Sequence, residues 1–311
     1  MDINKINYYE LLYLIIKYQK NINLVIDFYR YNSLDLPFYL NNKYLELLTE
    51  YCDKSNSNIV EILFNPKIEY RYFCYNLLDK VRQYKLPELV LNLNYETVLI
   101  EFRPLLHLEF LVLNTIRKVG NKWSHTIVCG NLNYDFIVDF CKDIKNIRII
   151  KLDYDNLTVK ECERLTKTLD FWNLFNGKKL LFYHEDTFMF KTNIDDFIEW
   201  DYIGASFPIE HNVNSHHVGN GGFSIRTKSV LCDIIKLRIM ENNPNDDNLN
   251  EDVYFAKFML EYNIGSLANV EEANKFACEY FITNDSFGSH NFVNFNYRWK
   301  SMIYNNILEY Y

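Results

Sequence analysis

A chain of 311 residues, 49% of them hydrophobic, is long enough for one large or two modest domains with a well-buried core. Its formal net charge of −8 and its lack of any lysine- or arginine-rich run argue against a general nucleic-acid binder and against an anionic-membrane binder. The seven cysteines, at 52, 74, 129, 141, 162, 232 and 278, are odd in number, scattered and without a CxxC pair, which argues against a zinc module or a disulfide framework and points to a reducing, cytosolic compartment.

Asparagine is about one residue in eight, whereas there are only nine glycines and six prolines. The favoured residues have AT-rich codons, so the bias reads as genomic. Periodic hydrophobics run through the asparagine-rich stretches, and the chain is therefore expected to be globular.

Residues 1–90 read as an accessory helical region. Apolar positions recur at three- and four-residue spacing, as in Tyr9, Leu12, Tyr13 and Ile16, and again in Tyr44, Leu47, Leu48 and Tyr51. The apolar run Leu11–Tyr18 is too short to span a bilayer and lacks a small-residue cleavage site, so no integral membrane segment is expected.

From Leu89 the rhythm changes. Glu96–Phe102 (ETVLIEF) is a short buried strand, followed by a helical run closing on Gly120. Ser124–Gly130 and Ile147–Leu152 are further strands, separated by the helical stretch YDFIVDFCKDI. One more helix, VKECERLTKTLDFWNLF, leads to Gly177 and to LLFYHEDTFMFK, which reads as strand on both sides of a charged knot. Strands alternating with helices predict βαβ units and a mainly parallel sheet. Later come a strand in FIEWDYIGAS, a helix from Ser229 to about Met240, a helix opening at Glu251, a strand and loop in FACEYFITNDSFGSHNF, and a helical tail over 294–311.

Ligands on such sheets gather outside the carboxyl ends of the strands. Two polar clusters, Glu101-Phe102-Arg103 and His184-Glu185-Asp186, fall there. In an extended segment His184 and Asp186 point to one face, and an imidazole and a carboxylate can both bind a divalent ion; equally, the acidic pair could cap a turn. Glu101 and Arg103 read as a local ion pair or as a substrate-gripping pair. Val218–Arg226 (VGNGGFSIR) packs three of the nine glycines into four positions. That pattern signals positive φ, close ligand approach, or a tight hairpin. Glu251 and Asp252 open a helix, where the dipole favours acids in any case; Asp252 could instead take a proton from a hydroxyl nucleophile. His290 stands alone in the loop after Gly288.

In this order the pieces resemble a family of uncharacterised glycosyltransferase-like domains. That family occurs in giant viruses among other hosts and is similar to the GT-A nucleotide-sugar glycosyltransferases. The matching stretches are Glu101–Arg103, Phe171-Trp172, Asp186-Thr187, Asp201–Ala205, Val218–Arg226, Glu251–Phe255 and Phe287–His290. The resemblance implies a GT-A-like, Rossmann-related α/β fold with a mixed, mainly parallel sheet flanked by helices. The implied organisation is an N-terminal helical region over 1–90, the glycosyltransferase domain over 91–293 and a C-terminal tail over 294–311.

It further implies transfer of a sugar from a nucleotide-sugar donor to a glycan or protein acceptor, assisted by Mn²⁺ or Mg²⁺. Asp186 and His290 would contact the metal, joined by His184, which departs from the usual carboxylate of a DxD-like motif. Glu101, Arg103, Asp186, Asn220, Gly221 and Gly222 would bind the donor. Glu251-Asp252 would be the catalytic pair, with Asp252 as general base if the reaction inverts. Cytoplasmic location, in a host cell if the chain is viral, follows from the same resemblance; homo-oligomerisation stays open. The alternative, from another functional class, is a catalytically silent GT-A-like fold that binds glycans or a partner.

Overall fold

The computed structural model describes residues 66–211, 214–241, 249–281, 283, 285–294 and 298–308, nearly all within one compact unit, Cys74–Tyr311. The N-terminal helical pattern over 1–65, including Leu11–Tyr18, and Cys52 lie outside these residues. The described chain opens with two helices, α1 (Pro66–Asn76) and α2 (Leu78–Arg82), and then alternates: β1 (Tyr95–Ile100), α3 (Leu108–Val119), β2 (Ser124–Cys129), α4 (Tyr134–Cys141) and β3 (Ile147–Lys151). Next come α5 (Val159–Thr166), α6 (Leu169–Asn173), β4 (Lys179–Tyr183), β5 (Thr187–Met189) and β6 (Tyr202–Gly204). The chain continues through β7 (Phe223–Thr227), α7 (Lys228–Met240), α8 (Glu251–Tyr262), α9 (Val270–Phe276), β8 (Ala277–Cys278), β9 (Gly288–His290) and α10 (Trp299–Leu308).

The main sheet has six strands in the order β3-β2-β1-β4-β7-β6. Strands β1 to β4 run parallel to one another, and β7 is antiparallel to both of its neighbours. This is the mainly parallel sheet that the alternating pattern predicts, in the mixed, helix-flanked form that the resemblance implies. Near-continuous apolar runs make these strands: Val98, Leu99, Leu180 and Leu181 are all inaccessible to solvent, as a sheet covered on both faces requires. Val98, Ile100, Leu180 and Phe182 share a core with Trp172 from α6, Ile234 and Ile235 from α7, and Phe255 and Met259 from α8. The alternate side chains of β4 turn the other way, where Tyr183 bonds Thr115 of α3.

Two expected elements differ. The single helix expected over 159–175 is broken into α5 and α6. Thr168 adopts an extended backbone and accepts the amide of Phe171, starting a second helix. Thr158 and Glu161 start the first with a reciprocal capping box. The strand segments expected on both sides of the knot in LLFYHEDTFMFK are present, but they belong to two different sheets. The amide of Thr187 bonds the carbonyl of His184 in a tight turn, and β5 leaves to join a small sheet ordered β5-β9-β8. Helix α9 was not read from the sequence; Asn269 caps it by accepting the amide of Glu272.

The β1–β4 pair is the topological switch point, because β1-β2-β3 proceeds to one side and β4-β7-β6 to the other. Crevices for ligands open at such points, at the strands' carboxyl ends. Leu99 lies opposite Tyr183, so Glu101 and Glu185 leave the sheet side by side.

On β2, His125 is buried against the Thr97 hydroxyl, 2.7 Å from Nδ1, and burial pushes its pKa down to about 3. The unfolded ring, with a pKa of about 6.5, therefore binds a proton that the folded ring refuses at any pH between those values. Stability should fall as pH drops through that window, by about 1.4 kcal/mol per pH unit from this group. Urea denaturation of wild type and His125→Asn at pH 7, 6 and 5 should show a shallower fall in the variant. Equal slopes would mean that His125 already titrates normally in the fold.

Candidate functional site

Beyond β4, the turn at His184-Glu185-Asp186 carries the second of the two polar clusters. The amide of His184 bonds the Gly222 carbonyl at 2.9 Å, and the Thr187 hydroxyl bonds the same carbonyl at 3.1 Å. Strand β5 then pairs antiparallel with β9, with Thr187 opposite His290, and the amide of Asn291 bonds the Asp186 carbonyl at 3.1 Å. That register delivers His290 to Asp186, Nε2 to Oδ1 at 3.2 Å. The FGSH motif is explained by packing: Phe287 stacks with Phe223 and Phe276, and a Cβ on Gly288 would lie 2.5 Å from the Phe223 ring.

His184, Asp186 and His290 each offer a ligand atom within 4.8 Å of the others. Two imidazoles and one carboxylate at that spacing suit a divalent transition ion. Second, the far nitrogen of His290 faces the buried Glu279, Nδ1 to Oε1 at 3.8 Å, the outer-shell arrangement that orients ligating histidines. The donor set therefore fits a metal. The two rings differ in charge. Burial, then the neighbouring His290, pushes His184 down to about 4. Burial opposes protonation of His290 too, but Asp186 and then Glu279 outweigh it and raise its pKa to about 10.

On the β1 side, Arg103 grips Glu101 with two bonds, Nε to Oε1 at 2.8 Å and Nη2 to Oε2 at 2.7 Å. Glu101 Oε1 also accepts the amides of Phe102 and Arg103, each at 2.9 Å. Glu185 turns toward this group: its carboxylate is 3.5 Å from Arg103 Nη2 and 3.3 Å from His107 Nε2. His107 Nε2 also lies 2.7 Å from the Glu185 carbonyl. Sequence reading missed His107 and set Glu185 aside; nothing local in the sequence links the start of α3 to the turn after β4.

The glycine-rich segment answers its question in an unexpected way. The positive φ belongs to Asn220, at +78°, a residue type that tolerates it. Asn220 Oδ1 accepts the amides of Gly222 and Phe223, closing the turn. The glycines serve close packing against the protein's own side chains. A Cβ on Gly219 would lie 2.3 Å from Phe207, on Gly221 2.1 Å from Glu251 Oε1, and on Gly222 2.0 Å from His290 Nε2.

The acids at the start of α8 hold this segment from below. Glu251 forms a two-pronged ion pair with the buried Arg226, both bonds 2.9 Å, and Arg226 also donates to the Gly221 carbonyl at 3.0 Å. The guanidinium lies over the Phe182 and Tyr202 rings. Asp252 Oδ2 accepts the amides of Asn220 and Gly221 at 2.8 and 3.1 Å, and Oδ1 accepts that of Val253 at 2.8 Å. Of roughly four acceptor positions on a carboxylate, the backbone thus takes three. Glu279, absent from the sequence-derived candidates, joins the halves: it accepts Asn220 Nδ2 at 2.6 Å and faces His290.

Comparison with known proteins gives one family model and several structural resemblances. A family model described as "Protein of unknown function (DUF5672)" matches residues 146–290, just under half of the chain. No curated protein matches the sequence. Among solved structures, the chain is similar to the apo form of the glycosyltransferase GlyE from Streptococcus pneumoniae TIGR4, with 9% identity and a TM-score of 0.43 over 69% of this chain and 60% of that one. It is also similar to residues 1–349 of S. aureus TarS, with 11% identity and a TM-score of 0.39, over 63% of this chain and 60% of that one. The same TarS segment in complex with UDP gives 11% identity and a TM-score of 0.37 over the same shares. The chain spans about 60% of the length of these structures.

Among the described residues no helix is long and apolar enough to cross a membrane. The described cysteines, at 74, 129, 141, 162, 232 and 278, are free.

Glu251→Ala would leave the Arg226 guanidinium buried without its carboxylate. Loss of one partner of a buried pair costs about 3–5 kcal/mol, so the variant should unfold at clearly lower urea concentration. A shift below about 0.5 kcal/mol would show that Arg226 is solvated and the pair peripheral.

Proposed function

We propose that the chain transfers a sugar from a nucleotide-sugar donor to an acceptor hydroxyl. The observation that carries this reading is the convergence of His184, Asp186 and His290 at the carboxyl end of β4. There they lie beside the Gly221-Gly222 backbone and across the switch point from Arg103. Such a rim suits a diphosphate, which needs positive charge and fixed donors at the place where negative charge grows as the sugar leaves. The resemblance of the collinear motifs to GT-A glycosyltransferases agrees with it.

In this reading Glu101 holds Arg103, and the guanidinium, between Glu101 and Glu185, faces the donor. Asn220, Gly221 and Gly222 form the wall of the sugar pocket, fixed by Asp252 and by the Arg226–Glu251 pair. A divalent ion held by His184, Asp186 and His290 would offset charge on the departing diphosphate. For an inverting reaction the acceptor oxygen attacks the anomeric carbon, the bond to the diphosphate breaks, and the hydroxyl proton passes to Asp252 Oδ1, which has one acceptor position left. Glu251 supports that site through Arg226.

A second reading, a catalytically silent glycan-binding fold, is favoured by one observation: Glu251 and Asp252 are both engaged by the protein's own groups. Two variants separate the readings. With a divalent ion present, Asp186→Asn should weaken binding of the nucleotide-sugar at least about tenfold, because the carboxylate's charge holds the ion that would offset the diphosphate. Asp252→Asn should leave donor affinity within about threefold and lower transfer by about 10²–10⁴, the range of general-base catalysis. Calorimetry and radiolabelled transfer from UDP-, GDP- and CMP-sugars measure the two. Undiminished transfer in Asp252→Asn would remove its role as base; tight donor binding by a wild type that transfers nothing would establish the silent fold.

A further inference from the structure

The donor set at the β4 turn carries information about which ion it selects. Two of its three ligand atoms are imidazole nitrogens, from His184 and His290, and one is a carboxylate oxygen, from Asp186. Mg²⁺ is a hard cation that takes oxygen ligands and keeps much of its water, whereas imidazole suits later first-row ions such as Co²⁺ and Zn²⁺. The surroundings reinforce the nitrogen character. The His290 ring is wedged against Gly222, where a Cβ would lie 2.0 Å from Nε2. Its Nδ1 is buried and faces Glu279 Oε1 at 3.8 Å. Glu279 is itself held by Asn220 Nδ2 at 2.6 Å and by Asn291 Nδ2 at 3.4 Å. A fixed carboxylate behind a ligating histidine sets the ring's orientation and raises its basicity as a ligand.

We propose that the His184–Asp186–His290 site selects an imidazole-accepting transition ion, with Co²⁺ and Zn²⁺ ahead of Mn²⁺ and Mg²⁺ last, and that Glu279 is the positioning residue that sets its affinity. This rests on the metal site assigned in the proposed function and narrows the Mn²⁺ or Mg²⁺ that the sequence resemblance implies. The order itself is the general one for sites that contain nitrogen; what belongs to this chain is the width of the gap, which His184 enlarges by standing where a carboxylate would give an oxygen-rich pair.

The test is direct titration of the metal-free full-length protein with MgCl₂, MnCl₂, CoCl₂ and ZnCl₂ by calorimetry, with Co²⁺ binding also followed by its visible absorption. Binding is assigned to this site by its loss in Asp186→Asn. The expected result is that Co²⁺ and Zn²⁺ bind at least about a hundredfold more tightly than Mg²⁺, with nitrogen-ligated Co²⁺ absorption. His184→Asp should narrow that ratio at least about tenfold, and Glu279→Gln should weaken Co²⁺ about 10- to 100-fold. Comparable affinity for Mg²⁺ and Co²⁺ in the wild type would overturn the selectivity while leaving a metal site standing. Unchanged Co²⁺ affinity in Glu279→Gln would overturn the role of Glu279. Failure of every cation to bind would overturn the metal site itself, and with it this inference.

Discussion

The register of three residue pairs decides what this site is. Strand β5 is only Thr187–Met189 and β9 only Gly288–His290, yet their antiparallel pairing puts Thr187 opposite His290 and thereby His290 against Asp186. A slip of one residue would turn His290 to the other face of the small sheet and separate the two groups. The register is held by packing on both sides. Phe110 and Phe190 lie against Phe188, and Phe223, Phe276 and Phe287 stack beneath β9. Gly288 is the position that lets Phe223 approach. Aromatic burial thus fixes a polar geometry several ångströms away.

Around that register the polar groups form one connected network. Asp252 and Asn220 close the 219–223 turn, Arg226 ties Gly221 to Glu251, Gly222 receives the amide of His184, and Glu279 bridges Asn220 to His290. Each buried charge has an opposite charge or a set of amides, which such burial requires. One consequence is that acids which look catalytic in the sequence also carry structural load. Asp252 can have both duties only through the one acceptor position that the backbone leaves.

The fold was largely legible in the sequence, since β1, β2, β3 and β4 are short apolar runs separated by helical periodicity and closed by recognisable caps such as Gly120. Those signals are local. The break between α5 and α6 was missed because Thr168 reads as an ordinary interior residue until its hydroxyl is seen to accept the Phe171 amide. The departure of β5 into a second sheet was missed because an apolar strand does not name its partner. At the site, His184, Asp186 and His290 could be suspected from collinear motifs, but their convergence is a long-range pairing that composition does not encode. Glu279 had no signal: in FACEYF it is one carboxylate in a short strand, and only the tertiary fold sets it behind His290. The glycine cluster was rightly singled out for backbone proximity, although the neighbours proved to be Phe207, Glu251 and His290.

The central claim is that this rim binds a nucleotide-sugar through the turn after β4. Thermal unfolding of the full-length chain in the presence of UDP-, GDP- and CMP-sugars, each with and without added divalent ion, addresses it most directly. A ligand at about 100 times its dissociation constant should add about 2.7 kcal/mol of stability, so one nucleotide class should raise the melting temperature, and more so with the ion present. If no nucleotide-sugar shifts the transition under either condition, the rim does not bind that donor and the account fails.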